Sequence, residues 1–331
     1  MPCHLPSNGC CRKAIPLAPY SMSEPDSIKH STLIKSIARQ LGFDACGITK
    51  AIPVHPEMQQ KLLSWLNKDY QAGMAYMGNH FEKRTNPCLL VEGTRSIVCV
   101  ALNYYPSHPL PQEQLQFAYY AYGKDYHDIM RQKLTQMLER IQAQIPTAEG
   151  RAFCDTAPIL ERYWAEQAGL GWTGKNTQLI IPGKGSYFFL GELFLNIDLH
   201  YDKPMDNHCG NCTRCLDACP THALEAPRLL NANRCLSYLT IEHRGDIPKE
   251  AALMLGQRIY GCDSCQHACP HNRFASPHHT PAFNPNNDFL QMKAGDWENL
   301  DIETYRKIFK GSAVKRAKYE GLMRNIHARK K

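Results

Sequence analysis

The residues in this chain with the most chemistry to offer are its cysteines, 15 in 331 residues. Eight of them form an ordered pattern. The first run is Cys209-x2-Cys212-x2-Cys215-x3-Cys219-Pro220. The second is Cys262-x2-Cys265-x3-Cys269-Pro270, and Cys235 lies between the two. Short spacings let one loop aim three thiolates at one centre, and in two-cluster ferredoxins the fourth cysteine of a run serves the other cluster. The pattern therefore predicts two [4Fe–4S] clusters. Cys209, Cys212, Cys215 and Cys269 would hold one, and Cys219, Cys235, Cys262 and Cys265 the other. Structural zinc is the alternative for paired C-x2-C motifs, but a triad followed by x3-C-P fits it poorly. Cys3, Cys10 and Cys11 match no closed metal site. Adjacent clusters pass single electrons, so the long segment ahead of Cys209 is expected to hold the site where electrons are used.

Composition narrows the setting. Hydrophobic residues are 43% and charged residues 21%, which suits a globular protein and excludes wholesale disorder. No apolar run reaches the ~20 residues of a membrane span, and no secretory h-region is visible. A cytoplasmic location follows as the expectation, since grouped cysteines in a reducing compartment hold metal rather than form disulfides. The net charge is +7, and residues 306–331 alone carry ten Lys/Arg against one Glu. The body is near neutral and the tail strongly basic, which points to a polyanionic partner, nucleic acid before membrane.

Periodicity supplies the elements that must position these groups. Apolar residues at helical spacing predict a helix over 27–41, stopped by Gly42, and others over 57–70, 127–145 and 158–168. Strands are expected at 43–49, 96–104 and 151–156, and as a strand–PGKG–strand unit over 176–199. Helices alternating with strands over 27–200 indicate one α/β domain. The cysteine-rich segment then begins at Asp206 and runs to about residue 275. A Pro/Asn/His-rich linker follows at 276–288, and a short basic helical tail closes the chain. Residues 1–21 carry no periodicity and are expected to be a disordered extension.

Several separate blocks together resemble the epoxyqueuosine reductase family. They are CDTAPILERYWAEQAGLGWTGKNTQLI (154–180), GKDYH (123–127), the eight cysteines, and GSAVKRAKYEGLMRN (311–325). The resemblance runs from about residue 27 to residue 326. It implies a cobalamin-dependent iron–sulfur oxidoreductase of tRNA processing. Such an enzyme performs the last step of queuosine biosynthesis, reducing an epoxide on the modified wobble base. It also implies a fold: an α/β (α+β) cobalamin-binding catalytic domain at 22–205, a bacterial two-[4Fe–4S] ferredoxin-like domain at 206–275, and the linker and tail at 276–331. The cobalamin would be base-off. The D-x-H-x-x-G motif that supplies a histidine lower ligand elsewhere is begun by Asp125-Tyr126-His127, but Met130 stands where its glycine belongs.

Carried over residue by residue, Asp155 matches the catalytic acid, which would protonate oxygen as the epoxide C–O bond breaks. On residue type alone it could equally cap a helix. A carboxylic acid must be partly desolvated to stay protonated near neutral pH, and Phe153, Trp164 and Trp172 are expected to provide that setting. Arg84 matches a cobalamin contact. Asn176, Thr177, Gln178 and Leu179 match the stretch along the corrin, and Leu190 a contact on the next strand. Ser237, Cys262 and Asp263 match the region where one cluster approaches the cobalt. Asp125 and His127 either face the substrate or cap the following helix.

The basic tail fits a tRNA partner. Lys315, Arg316, Lys318 and Arg324 are expected to line one helix face toward phosphates, with Arg244 also reaching the backbone. Such contacts carry affinity and salt dependence but little sequence information. Tyr104, Tyr105 and Tyr122 are candidates for stacking on an unpaired anticodon base. An external electron donor and a monomeric state complete the expectation. Three readings compete with it: another corrinoid reductase such as a dehalogenase, an electron-transfer subunit without chemistry of its own, and a zinc-stabilised RNA-binding protein.

Overall fold

A computed structural model describes residues 24–330; Cys3, Cys10 and Cys11 lie outside the described residues. The frame is a four-stranded sheet in the order Ala45–Lys50, Ser96–Asn103, Phe188–Leu195, Gly150–Phe153. Every pairing in it is antiparallel. The helix–strand alternation thus resolves to α+β rather than to a parallel α/β sheet.

Both central strands are buried, and their alternating side chains serve two different layers. Val98, Val100 and Leu102 face the helices Glu24–Gln40 and Tyr126–Gln144, packing on Ile34, Ile37, Met130 and Leu134. Ile97, Cys99 and Ala101 face the short helix Glu161–Gln167, packing on Trp164 and Ala165. Ser96–Asn103 carries apolar residues on both faces because it is covered on both. Gly42, at φ 81°, ends the first helix in the left-handed conformation that glycine adopts without strain.

The structure redraws two expected elements. The helix foreseen from Pro158 starts only at Glu161. Residues 154–160 turn tightly instead, with the Thr156 amide donating to the Cys154 carbonyl and the Ile159 amide to that of Ala157. The strand–PGKG–strand unit is not a hairpin of the main sheet. Leu179–Ile180 pairs with Trp172–Thr173, the turn closes by a bridge between Ile181 and Gly185, and only then does the chain enter Phe188–Leu195.

Residues 276–330 do not trail from the body. Phe283 packs into the first core beside Phe189. Phe289, Trp297, Tyr305, Phe309, Leu322 and Ile326 build a second core with Leu115, Phe117, Tyr122, Ile259 and Tyr260. The cysteine-rich stretch between is nearly devoid of long elements. Its pieces include the single-turn helices Arg214–Asp217 and Ser264–His267, which pack on each other, a small antiparallel pair, Leu224–Ala226 with Leu229–Leu230, and the short helices Leu236–Ile241 and Lys249–Leu253 followed by the strand Arg258–Tyr260.

Candidate active site and cluster-binding region

The N-terminus of the long helix Tyr126–Gln144 assembles a proton-handling chain. Asp125 is its N-cap: Oδ1 accepts the His127 backbone amide at 3.2 Å and contacts His127 Nδ1 at 2.6 Å. The other ring nitrogen, Nε2, lies 3.0 Å from Asp155 Oδ2, and the Tyr126 hydroxyl donates to the same oxygen at 2.6 Å. A histidine with a carboxylate on each nitrogen has both positions suited to N–H donors, the arrangement of an imidazolium. Burial opposes that charge, but the hydrogen bonds and charges of Asp125 and Asp155 outweigh it and push the His127 pKa up to about 9. Asp125 therefore both caps the helix and orients the histidine.

Asp155 sits in the tight turn after Gly150–Phe153 with φ 57°, a left-handed backbone uncommon outside glycine, asparagine and aspartate. Its amide donates to Glu161 Oε1 at 2.5 Å. The environment differs from the one expected. Phe153, Trp164 and Trp172 are buried in the core, whereas the Asp155 side chain is 54% exposed and ringed by polar groups. Desolvation raises its pKa, but the hydrogen bonds of His127 and Tyr126 and the charges of His127 and Arg162 prevail and lower it. Asp155 is therefore an anion at rest, and the available proton resides on His127. Below it, Glu161 is pushed up to about 7 by desolvation and then by the charge of Asp155. Glu192, on the central strand, is fully buried with no hydrogen-bond partner on either oxygen, and desolvation holds it neutral. The geometry thus adds Tyr126 and Glu161 to the residues read from sequence. Their signal was adjacency: Tyr126 lies inside the D-Y-H triplet, and Glu161 follows Asp155 by six positions.

The cysteines gather as two sets. Cys215 has Cys269, Cys209 and Cys212 as its charge neighbours, whereas Cys265 has Cys262, Cys235 and Cys219. Backbone amides of His271 and Asn272 reach Cys269, those of Tyr238 and Ser237 reach Cys235, and the Ala223 amide donates to Cys219 Sγ at 3.2 Å. Amides aimed at sulfur stabilise thiolates. Among the described residues, no three His, Cys, Asp or Glu side chains converge closely enough to chelate a single metal ion. Two sets of four thiolates match the ligand count of two [4Fe–4S] clusters.

The residues matched to cobalamin contacts lie between the sheet and this region. Asn176 is buried, donates to the Cys265 carbonyl at 3.3 Å and accepts the Gln178 amide. Thr177 between them has φ 67°. Leu179 is buried and Leu190 half-buried. Asp263 accepts the Tyr119 amide at 2.8 Å, and Ser237 is half-buried beside Cys235. Arg84 is 7% exposed; one N–H donates to the Tyr76 carbonyl while Nε has no partner in the protein. A buried guanidinium with an unspent donor fits a large ligand rich in carbonyl oxygens.

The basic residues do not share a helix face. Lys315 and Arg316 lie in the turn Ala313–Arg316, and Lys318 begins the helix Lys318–Ala328 at φ 62°. Lys315 Nζ pairs with Asp125 Oδ2 at 2.9 Å, and Arg316 pairs through two nitrogens with Glu242. Arg324 turns inward and donates to the carbonyls of Leu239, His243 and Gly245. Arg244 donates to those of Ile241 and Arg316. Arg324 and Arg244 therefore bind this protein's own backbone, because buried carbonyls at the end of the Leu236–Ile241 helix need donors. Lys318 stays exposed. Tyr104 and Tyr122 belong to the cores, which leaves Tyr105 alone of the three half-exposed. Among the described residues no helix is long and apolar enough to cross a membrane.

Comparison with known proteins agrees with this geometry. Residues 208–272 match the model of a 4Fe–4S double cluster binding domain, and residues 84–156 that of epoxyqueuosine reductase QueG, DUF1730. An epoxyqueuosine reductase from Cyclobacterium marinum is 47% identical over 302 residues, covering 90% of this chain and 96% of that protein. The one from Escherichia coli is 39% identical over 312 residues, covering 92% and 82%. A crystal structure of epoxyqueuosine reductase with an epoxyqueuosine-modified tRNA stem loop superposes with a TM-score of 0.84 at 31% identity, over 91% of this chain and 80% of that one. A Bacillus subtilis structure with its catalytic aspartate loop swung out of the active site gives 0.83 at 30%, over 91% and 81%. With identities of this size over nine-tenths of its length, the chain belongs to the epoxyqueuosine reductase family.

Proposed function

We propose that this protein reduces the epoxide of epoxyqueuosine at the wobble position of tRNA to give queuosine. Opening a C–O bond generates an alkoxide, which needs a proton near neutral pH. The observation that carries the reading is a charged His127 held between Asp125 and Asp155, with Asp155 displayed at the exposed end. The proton that Asp155 passes to the developing alkoxide is the one shared across the 3.0 Å contact with His127. Tyr126 holds Asp155 Oδ2 in place, and Glu161 fixes the backbone turn that presents it.

Full reduction takes two electrons and two protons, and the epoxide oxygen leaves as water. Cys209, Cys212, Cys215 and Cys269 would hold one [4Fe–4S] cluster, and Cys219, Cys235, Cys262 and Cys265 the other. An external donor loads them. Arg84, Asn176, Thr177, Gln178, Leu179, Leu190, Ser237 and Asp263 would cradle a base-off cobalamin. When bound, that group supplies the low-valent metal that reduces the epoxide carbon. The exposed Lys318 and the neighbouring tail would meet the tRNA backbone.

The test is single-turnover reduction of an epoxyqueuosine-containing stem loop by the cluster- and cobalamin-loaded protein. Asp155→Asn is expected to slow product formation by about 10²–10⁴-fold, the usual worth of a positioned acid, while stem-loop affinity is kept. An unchanged rate removes Asp155 from the mechanism.

A further inference from the structure

The Lys315 side chain is exposed along its length, but its ammonium rests on a buried carboxylate. Asp125 is 5% exposed, and its two oxygens are divided: Oδ1 serves His127, and Oδ2 meets Lys315 Nζ at 2.9 Å. The backbone that delivers Lys315 is braced from several sides. The Asp125 amide donates to the Gly311 carbonyl at 2.7 Å, and Lys124 Nζ donates to the Lys310 carbonyl at 3.0 Å. The Tyr260 hydroxyl donates to the Ala313 carbonyl at 2.8 Å, and Ser312 caps the turn by accepting the Val314 amide. On the opposite side Gly123 runs so close to residues 282–283 that a Cβ would stand 2.4 Å from the Phe283 backbone. The C-terminal segment is thus built onto the loop that carries Asp125, and one lysine reaches through to the carboxylate that orients His127.

We propose that Lys315 is a positioning residue for proton delivery, fixing the Asp125–His127 pair that feeds Asp155, and not a contact for the nucleic-acid backbone. This rests on Asp155 acting as the acid. Both lysines are exposed, but the charge of Lys315 is committed to a desolvated carboxylate and has little left for a phosphate, whereas Lys318, three residues on, makes no ion pair among the described residues. The charged groups facing the His127–Asp155 contact are Asp125, Lys315, Glu161, Arg162 and Arg316. Removing the Lys315 cation leaves Asp125 unopposed on one oxygen. His127 then holds its proton more tightly, in a pair free to rotate, and is a weaker donor.

The experiment compares Lys315→Met, Lys315→Arg and Lys318→Met in the loaded protein, and reads kcat, stem-loop Kd against salt, and the titration of the labelled His127 ring by NMR. Lys315→Met is expected to lower kcat about 10–100-fold with Kd and its salt slope unchanged. The His127 titration and the alkaline limb of the rate move to higher pH. Lys315→Arg restores most of the rate. Lys318→Met does the reverse, weakening binding and flattening the salt slope by about one. If Lys315→Met weakens binding and leaves kcat and the His127 titration unmoved, the positioning role is overturned. If Asp155→Asn also leaves the rate unchanged, the failure lies in the acid assignment itself.

Discussion

Replacing His127 separates the two functions that its neighbours combine. His127→Gln keeps a side chain that can bridge Asp125 and Asp155 but carries no transferable proton, so the single-turnover rate should fall about 10²-fold. In the unaltered protein the rate should hold through neutral pH and fall as pH rises through about 9, where the imidazolium is lost. Stability follows the same sign. A histidine whose folded pKa lies above its ordinary 6.5 contributes stability that is fully present below 6.5 and lost as pH rises through 9. Asp125, held well below its ordinary value against desolvation by its bonds to His127 and Lys315, contributes stability lost only in acid. Melting temperatures of the two proteins should therefore differ most below pH 6.5 and converge above pH 9.

At the scale of elements, the central strand carries a liability. Glu192 lies in register with Cys99 and Phe153, on the side covered by Glu161–Gln167, and no group in the protein bonds its oxygens. Its raised pKa gives a contribution present below its ordinary value of 4.5 and eroded as pH rises. Glu192→Gln cannot ionise, so it should match the parent near pH 5 and exceed it at pH 8 by at least about 1 kcal/mol, measured by denaturant unfolding. Arg324 and Lys318, on the same C-terminal helix, make a contrasting pair. Arg324→Met strips the donors from three backbone carbonyls, and should cost about 2–4 kcal/mol of stability. Lys318→Met should cost almost none.

Across the whole molecule, stability is unevenly supplied. The sheet and the C-terminal segment each own a large apolar core; the cysteine-rich stretch has a smaller one around Leu236, Leu239, Ile247 and Leu255, and its cysteine loops share only a few apolar residues with Trp172 and Ile180. The cysteine loops flanking that core are short of apolar contacts and depend on their metal for order. The crossed ligand sets give a specific expectation. Cys215→Ser and Cys269→Ser, far apart in sequence, should abolish the same cluster, and Cys235→Ser the other. Each reduces iron from about eight to about four per chain, and paramagnetic resonance of the reduced protein should show the first two variants alike and the third different. Chelating all iron should expose residues 206–275 to protease before the sheet opens.

How much was legible in the sequence depended on the range of the interaction. The grouping of the cysteines was readable because neighbouring thiolates of a set come from one short loop while the last cysteine of a run crosses to the other set, a constraint written into spacing. The helices 24–40 and 126–144 and the strand 96–103 were readable because amphipathic and fully buried patterns are local. The family blocks marked Asp155, yet its protonation was misjudged: apolar residues near it in sequence face the core, and the polar neighbours that set its charge come from a helix 29 residues away in the chain. The basic tail was misread for the same reason. Its composition set a charge of one sign, but which lysine meets a carboxylate and which arginine meets a carbonyl depends on packing against residues 239–245 and Asp125. Spacing alone determined the grouping of the cysteines and the main helices. Only the tertiary structure decided where the proton sits and which cations are free, because charge and hydrogen-bond partners act through space between segments that sequence order keeps apart.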